Sequence, residues 1–452
     1  MIDWDFKLVI LSSLVFLAGA YLISGWQRKK GALIIFLIAL FSFSGFNYNL
    51  NISDSVIPTN FAEIVYFLLL MVMGLAWLSN RQNVPTIGLE WPIRIYLAAA
   101  LMGVLTAFYF NLSIINIIIE VKSYVVYIFY LYLVPFLLNE KKDVRKYLWV
   151  LVLFSIIPIL YVLPNLKDMA AIEAATESER GEITKYWGPL NVLVGFISPV
   201  IFIAMGLHLA TRRTILKGSL LILVILCLFI VFYSQTRSAW VSVSTSSLLF
   251  LFLSKKKMYL GVALIVLVTF VFLTGSMERV KSIFEHRIVG QTIESQDSSL
   301  QVRLERWEVA KKTFEAHPLT GTGWGGYLTS QSENEENSVS SGHPVWHNSF
   351  FEILSQLGLL GLAAFYWLWF RIFKIGLGAW ENAKDQKDKV VLSGLISAVV
   401  CMFVYSLGEQ QFYRVETASV SWFITGLLIH YANTVKRESE IRKVGSGLVS
   451  NV

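Results

Sequence analysis

Long apolar runs follow one another along this chain, separated by short polar connections. Each is long enough to cross about 30 Å of hydrocarbon as a helix. They fall near 6–25, 31–46, 61–79, 94–110, 118–138, 147–164, 190–210, 217–234, 238–254, 258–275, 349–370, 390–408 and 417–433. The pattern predicts an all-α polytopic membrane protein with about 13 (12–14) transmembrane helices and one large extracytoplasmic loop. It divides into an N-terminal bundle over 1–275, about ten helices with an outer loop at 165–188, and the large loop over 276–348. A three-helix membrane segment over 349–433 and a tail over 434–452 complete the chain.

Charge gives an independent check on that layout. The connections at Arg28–Lys30, Arg81–Arg94, Lys141–Lys146, Arg212–Lys217, Lys255–Lys257 and Arg371–Lys389, with the tail from Lys436, alternate along the chain and hold most of its 38 lysines and arginines. Positive-inside logic places these in the cytoplasm, which puts the N-terminus outside and the C-terminus inside. An odd number of spans agrees with that parity. The first apolar run begins near Phe6 behind an acidic leader, which does not fit a cleavable signal.

Composition removes the soluble classes. With 55% hydrophobic and 15% charged residues and a mean hydropathy of +0.60, the chain has too much apolar surface for a soluble fold. The formal charge of +7 is spent on topology and does not suggest nucleic acid as a partner. Cys227 and Cys401 lie inside apolar runs, so neither a disulfide framework nor a metal knuckle is expected.

The candidate chemistry lies in the outer loops. The large one carries four of the six histidines, His286, His317, His343 and His347, and its length and polarity predict short helices and a functional site. It ends in "SGHPVWHNSFFEILSQLGLLG", where two histidines and an asparagine stand directly before an apolar helix. Ser349 and Glu352 have the spacing of a capping box. That would set His347 and Asn348 at the positive end of a helix dipole, which keeps an imidazole neutral and favours an approaching anion. On these residues alone the stretch also reads as a polar interfacial cap.

Arg237 stands where one apolar run ends and the next begins, Arg180 in the first outer loop, and Arg279, Arg287, Arg303 and Arg306 in the second. Arginine's planar, permanently charged fork suits phosphate recognition, although any one of them also fits a headgroup contact or an ion pair. "GTGWGGYL" matches G-x-G-x-x-G in letters only: no strand precedes it and no P-loop lysine follows, so a Gly-rich turn presenting Trp324 and Tyr327 to a sugar or to the lipid interface is expected instead. Neither long loop holds an Asp-x-Asp pair or a His/Glu set at metal-ligand spacing, so the expected chemistry uses no metal and no cofactor. The acidic turn at Glu333, Glu335 and Glu336 is the weak exception.

Taken in order, "SQTRSAW", "FEHRIVG", "SSLQVRLERWEVAKKTFEAHPLTGTGWGGY" and "HNSFFEILSQLGLLGL" resemble the O-antigen ligase and Wzy-type polysaccharide polymerase superfamily. The resemblance covers roughly Arg180 to Gly361 and rests on the ordered set rather than on any one element. It implies the C-type glycosyltransferase architecture and transfer of a glycan from undecaprenyl pyrophosphate to an acceptor hydroxyl, on the periplasmic face of the bacterial inner membrane. By resemblance, Arg237 and Arg303 bind the pyrophosphate, with Arg180, Arg287 and Arg306 as further candidates. His347 is the general base or acceptor-orienting residue, with Asn348 beside it. His343, Trp324 and Lys122 complete the candidate substrate-contacting set.

The chemistry fits these roles, because a pyrophosphate leaving group gains charge as its glycosidic bond breaks and a sugar hydroxyl needs a base within reach. The implied partners are a lipid-linked glycan donor, a glycan or lipid-linked glycan acceptor, membrane lipids and a chain-length regulator. Three readings stay open. A polymerase of repeat units is favoured by the length and span number, a ligase joining polymer to a lipid A core shares its donor chemistry, and a transporter of lipid-linked sugar would make most use of Glu120 and Lys122.

Overall fold

The computed structural model describes residues 47–52, 55–78, 85–162, 190–234, 236–255, 298–326 and 348–449. The expected spans at 6–25, 31–46 and 258–275 and the loop at 165–188 lie outside the described residues.

An antiparallel hairpin comes first, β1 (Asn47–Ile52) and β2 (Ser55–Asn60), with Asn47 opposite Asn60 and Ile52 opposite Ser55. The hairpin is a local addition to an otherwise helical set of described elements, in keeping with the all-α class. Asn47, Asn49 and Asn51 alternate with Tyr48, Leu50 and Ile52, the period of a strand, which a search for long apolar runs passes over.

The other described elements are helical. They are α1 (Phe61–Leu78), α2 (Glu90–Tyr109), α3 (Ile114–Val125), a 3-10 turn (Val126–Phe129), α4 (Tyr130–Leu137) and α5 (Lys141–Val162). Then come α6 (Leu190–Ala210), α7 (Thr214–Tyr233), α8 (Arg237–Ser254), α9 (Ser298–Ala316), α10 (Ser349–Asn382), α11 (Gln386–Tyr405) and α12 (Val415–Val449). Six helical stretches among the described residues are long and apolar enough to cross a membrane, with Ile114–Leu137 counted as one. The chain is a multi-pass membrane protein.

The packing follows from which helices keep an apolar face for lipid and which bury polar groups. On α7, Leu221, Ile222, Ile225 and Phe229 are exposed, as suits an outer helix. By contrast α6, α8 and α11 pack against one another through small residues. A Cβ on Gly394 would lie 3.1 Å from the Gly206 Cα, so α6 and α11 meet backbone to backbone. Between α8 and α11, the Cys401 Sγ donates to Ser242 Oγ at 3.7 Å, while Ser242 Oγ donates to the Ala239 carbonyl at 2.9 Å. Small hydroxyls of this kind satisfy themselves on their own helix and cost little when buried.

The two ends of the bundle differ. At one end Lys141 Nζ donates to Asp388 Oδ2 at 2.8 Å and to Glu438 Oε2 at 2.6 Å, and the Tyr431 hydroxyl donates to Asp388 Oδ1 at 2.6 Å. Asn433 Nδ2 donates to the Ile87 carbonyl at 3.0 Å nearby on α12. These contacts gather connections that the charge pattern assigned to a common side. The other end holds the polar cluster described next.

Candidate active site

Helix α10 begins at Asn348, and the expected capping box is corrected. The N-cap is Asn348, whose Oδ1 accepts from Phe350 N at 2.8 Å and Phe351 N at 3.3 Å. Ser349 is already helical, and its N–H donates to the Ser406 carbonyl at 3.0 Å. Asparagine caps as well as serine, and starting one residue earlier lets the Ser349 amide reach α11. Glu352 N bonds the Asn348 carbonyl at 3.2 Å, so the first four N–H groups of α10 all have partners. The helix start therefore offers an anion no vacant amide, and recognition of a phosphate there falls to side chains. The Asn348 oxygen is committed to the cap, which leaves Nδ2 as the group of that amide free to donate.

Glu352 itself, expected only to cap, points into a buried polar cluster. Its Oε2 accepts from Gln410 Nε2 at 3.0 Å. One turn on, Gln356 Nε2 donates to Glu120 Oε2 at 3.2 Å, and Gln356 Oε1 accepts from Gly325 N at 2.8 Å. Glu120, Glu352, Gln356 and Gln410 are all at most 7% exposed. Tyr124 and Tyr413 flank the cluster with ring centroids 5.9 Å apart. Buried carboxylates need such donors, since an unpaired one is costly in a membrane bundle.

The turn between α11 and α12, residues 406–414, forms one wall. Asn191 Nδ2, in the first turn of α6, donates to Glu409 Oε2 at 2.9 Å, and the Tyr405 hydroxyl donates to the Asn191 carbonyl at 2.7 Å. Gln411 Nε2 donates to Ser421 Oγ at 2.9 Å and to the Gly195 carbonyl at 3.3 Å. A Cβ on Gly408 would lie 2.8 Å from the Ser238 Cβ, which brings the first turn of α8, and with it Arg237, beside this turn.

The Gly-rich loop forms another wall, and it works through backbone. Helix α10 breaks at Gly358, with φ 63° and ψ −162°. The break frees the Ser355 and Gln356 carbonyls, which accept from Thr322 N at 3.0 Å and Gly323 N at 2.9 Å. In return Leu359 N and Leu360 N donate to the Pro318 and Leu319 carbonyls at 2.9 and 3.2 Å. Gly321 and Gly323 have φ of 64° and 85°, the left-handed region, and a side chain on Gly323 would collide with the backbone of α2 at Ala107. "PLTGTGWGG" and "GLLG" are thus two halves of a single interlock.

That geometry corrects the expectation for Trp324. Its indole is fully buried, stacks on Tyr124 at 5.6 Å and donates from Nε1 to the Ala100 carbonyl at 2.8 Å. With its donor used and both faces packed, it pins the loop to α2 and α3 and is not displayed to a sugar or to lipid. Lys122 is buried on α3, two residues from Glu120. Arg237 is the first residue of α8 and exposed. Arg303 and Arg306 lie in the first half of α9, which packs along α10 with Trp307 and Phe351 ring centroids 5.4 Å apart. Position 303 is one helical turn before Trp307 on the same face. His343, His347, Arg180 and Arg287 lie outside the described residues.

Sequence reasoning missed Gln356, Glu409, Gln410, Gln411 and Tyr413. A signal existed: Glu352 and Gln356 are four apart on an otherwise apolar helix, and "GEQQFYR" interrupts two apolar runs.

Residues 222–366, about a third of the chain, match the family described as O-antigen ligase. This segment is similar to the O-antigen ligase family. It takes in the end of α7, all of α8 and α9, the Gly-rich loop and the first half of α10, and so contains Arg237, Arg287, Arg303, Arg306, Trp324, His343, His347 and Asn348. The family implies an enzyme of the glycosyl-transfer type. The family segment does not complete the polar cluster by itself, because α3, the first turn of α6 and the 406–414 turn come from outside it. No curated relative matches the chain.

Proposed function

We propose that this protein is a membrane glycosyltransferase that moves a glycan from undecaprenyl pyrophosphate to a sugar hydroxyl on the periplasmic face. The observation that carries the reading is the O-antigen ligase family match over residues 222–366, which takes in α8, α9 and the start of α10.

In the proposed step the acceptor hydroxyl oxygen forms a bond to the anomeric carbon as the bond from that carbon to the pyrophosphate oxygen breaks. The electron pair leaves with undecaprenyl pyrophosphate, whose growing charge is met by Arg237 and Arg303, with Arg180, Arg287 and Arg306 as further cations. The acceptor's proton passes to His347. Asn348, whose Oδ1 is held by the cap, donates from Nδ2 to a substrate oxygen. The capped start of α10 supports this division of labour, since its amides are occupied and cannot replace the arginines.

The acceptor decides between two enzymes. We favour a Wzy-type polymerase joining lipid-linked repeat units, on the length and span number of the chain; the alternative is a ligase delivering finished polymer to a lipid A core, which the family description supports directly. The glycan profile of a null mutant separates them. Single repeats on the lipid core indicate a lost polymerase, and long chains accumulating on the undecaprenyl carrier indicate a lost ligase. Repeats trapped on the cytoplasmic leaflet would overturn both in favour of a transporter.

A further inference from the structure

Trp324 is withdrawn from any sugar, but the segment leading into its loop helps to build a different surface. A cleft of about 540 Å³ lies between the Tyr109 end of α2 and that segment, lined by Leu105, Thr106, Tyr109, Phe110, His317 and Thr320. Its size falls within the range of about 300–1,000 Å³ usual for small-molecule sites. Both walls are fixed by backbone. On one side Phe110 N donates to the Thr106 carbonyl at 3.1 Å, and the chain then turns at Asn111 with φ 52°. On the other, His317 N donates to the Thr313 carbonyl at 3.1 Å, and the Pro318 and Leu319 carbonyls are held by Leu359 and Leu360.

The lining is chemically mixed. The Tyr109 and Phe110 rings stand nearly perpendicular, with centroids 5.2 Å apart, and the His317 ring meets Phe110 edge-on at 5.0 Å. Thr106 Oγ1 donates to the Met102 carbonyl at 2.9 Å, which leaves its oxygen to accept. A neutral imidazole donates from one nitrogen and accepts at the other, and the Thr320 hydroxyl does both. No charged side chain among the described residues lines the cleft. A phosphate would therefore meet no cation there, and an alkyl chain would strip water from the imidazole and hydroxyls without replacing it. A pyranose ring has the matching surface: an apolar C–H face to lie on an aromatic ring, bounded by hydroxyls that both give and accept hydrogen bonds.

We infer that this cleft binds an uncharged sugar residue of the glycan on which the enzyme acts. The inference rests on the glycosyl-transfer reading and adds to it a glycan subsite. The cleft and the buried polar cluster share one loop, because Thr320 lines the cleft and Gly325 N donates to Gln356 Oε1 at 2.8 Å in the cluster.

The test uses the full-length protein in phosphatidylcholine nanodiscs. The probe is the repeat-unit oligosaccharide released by mild acid from the carrier lipid of the native strain, followed by saturation-transfer NMR. Wild type is expected to bind it, and Tyr109→Ala to bind about tenfold more weakly. Tyr109 is 81% exposed, so the thermal midpoint of that variant should not move. Thr320→Val removes a hydroxyl at nearly constant shape and should also weaken binding, by about threefold or more. If Tyr109→Ala folds poorly, Thr320→Val carries the comparison. Wild-type affinity in both variants overturns the inference. So does a lowered midpoint in Tyr109→Ala with unchanged glycan affinity, which would make Tyr109 a residue of the lipid interface. Wild type that forms product without binding the free oligosaccharide also overturns it. Wild type that neither binds the glycan nor forms product would remove the glycosyl-transfer reading, and this inference with it.

Discussion

Gln410 Nε2 donates to Glu352 Oε2 at 3.0 Å, and this one bond ties the turn after α11 to the first turn of α10. Both residues are nearly inaccessible, at 3% and 1%. The bond therefore joins the two walls of the site across a medium in which neither group has water to fall back on. Replacing Gln410 by Leu should cost about 1–3 kcal/mol, because Glu352 stays buried without its donor. Thermal unfolding of the purified chain measures this. Combined with Glu352→Gln in a double-mutant cycle, the two changes should be clearly non-additive; additive effects would show that the bond does not couple the walls.

The cap on α10 separates two duties of Asn348. Asn348→Ala removes the cap and should cost about 1 kcal/mol of stability. Asn348→Asp keeps a capping oxygen but loses the Nδ2 donor and adds a negative charge near the proposed pyrophosphate. The aspartate variant should unfold close to the wild-type midpoint and lose product formation. An active aspartate variant would show that the amide nitrogen contacts no substrate oxygen.

Trp324 and Gly358 should behave as structural residues. Trp324→Phe keeps the stack on Tyr124 and loses the bond to Ala100, a change of about 1 kcal/mol, with donor KM unchanged. Truncation to Ala should cost about 3–5 kcal/mol. Gly358→Ala needs a left-handed alanine whose Cβ meets the Leu319 carbonyl, so a loss of about 3 kcal/mol or more is expected. A Trp324→Phe protein of normal stability and raised donor KM would restore a binding role for the indole.

The proposed chemistry makes its own demands on variants. His347→Ala should insert and fold yet give no polymer or ligated product in a null strain. Arg237→Lys and Arg303→Lys should also fail, because lysine keeps the charge and loses the bidentate fork. Product from both lysine variants at wild-type level would reduce their role to simple charge. Chelation with EDTA should leave the rate unchanged.

The apolar runs were legible because a membrane helix must present a long unbroken apolar stretch, and ten of those runs coincide with described helices. The family motifs were legible too, as an ordered series of residues. Their roles were not. "GTGWGG" reads as a loop offering an indole, and only the break at Gly358 shows its amides engaged by α10 and its indole buried against Ala100. Glu352 reads as the third residue of a capping box, and only the approach of the 406–414 turn shows it bonded to Gln410.

The sequence by itself determined the membrane class, the positions of most helices and the similarity of residues 222–366 to the O-antigen ligase family, since hydropathy and ordered motifs are local properties of the chain. Tertiary structure decided which polar groups meet. Glu120 and Gln356 are separated by more than two hundred residues, as are Asn191 and Glu409, and no periodicity links them. They pair because a helix bundle in lipid must satisfy each buried polar group within itself, and the satisfying partner is whichever helix the packing brings alongside.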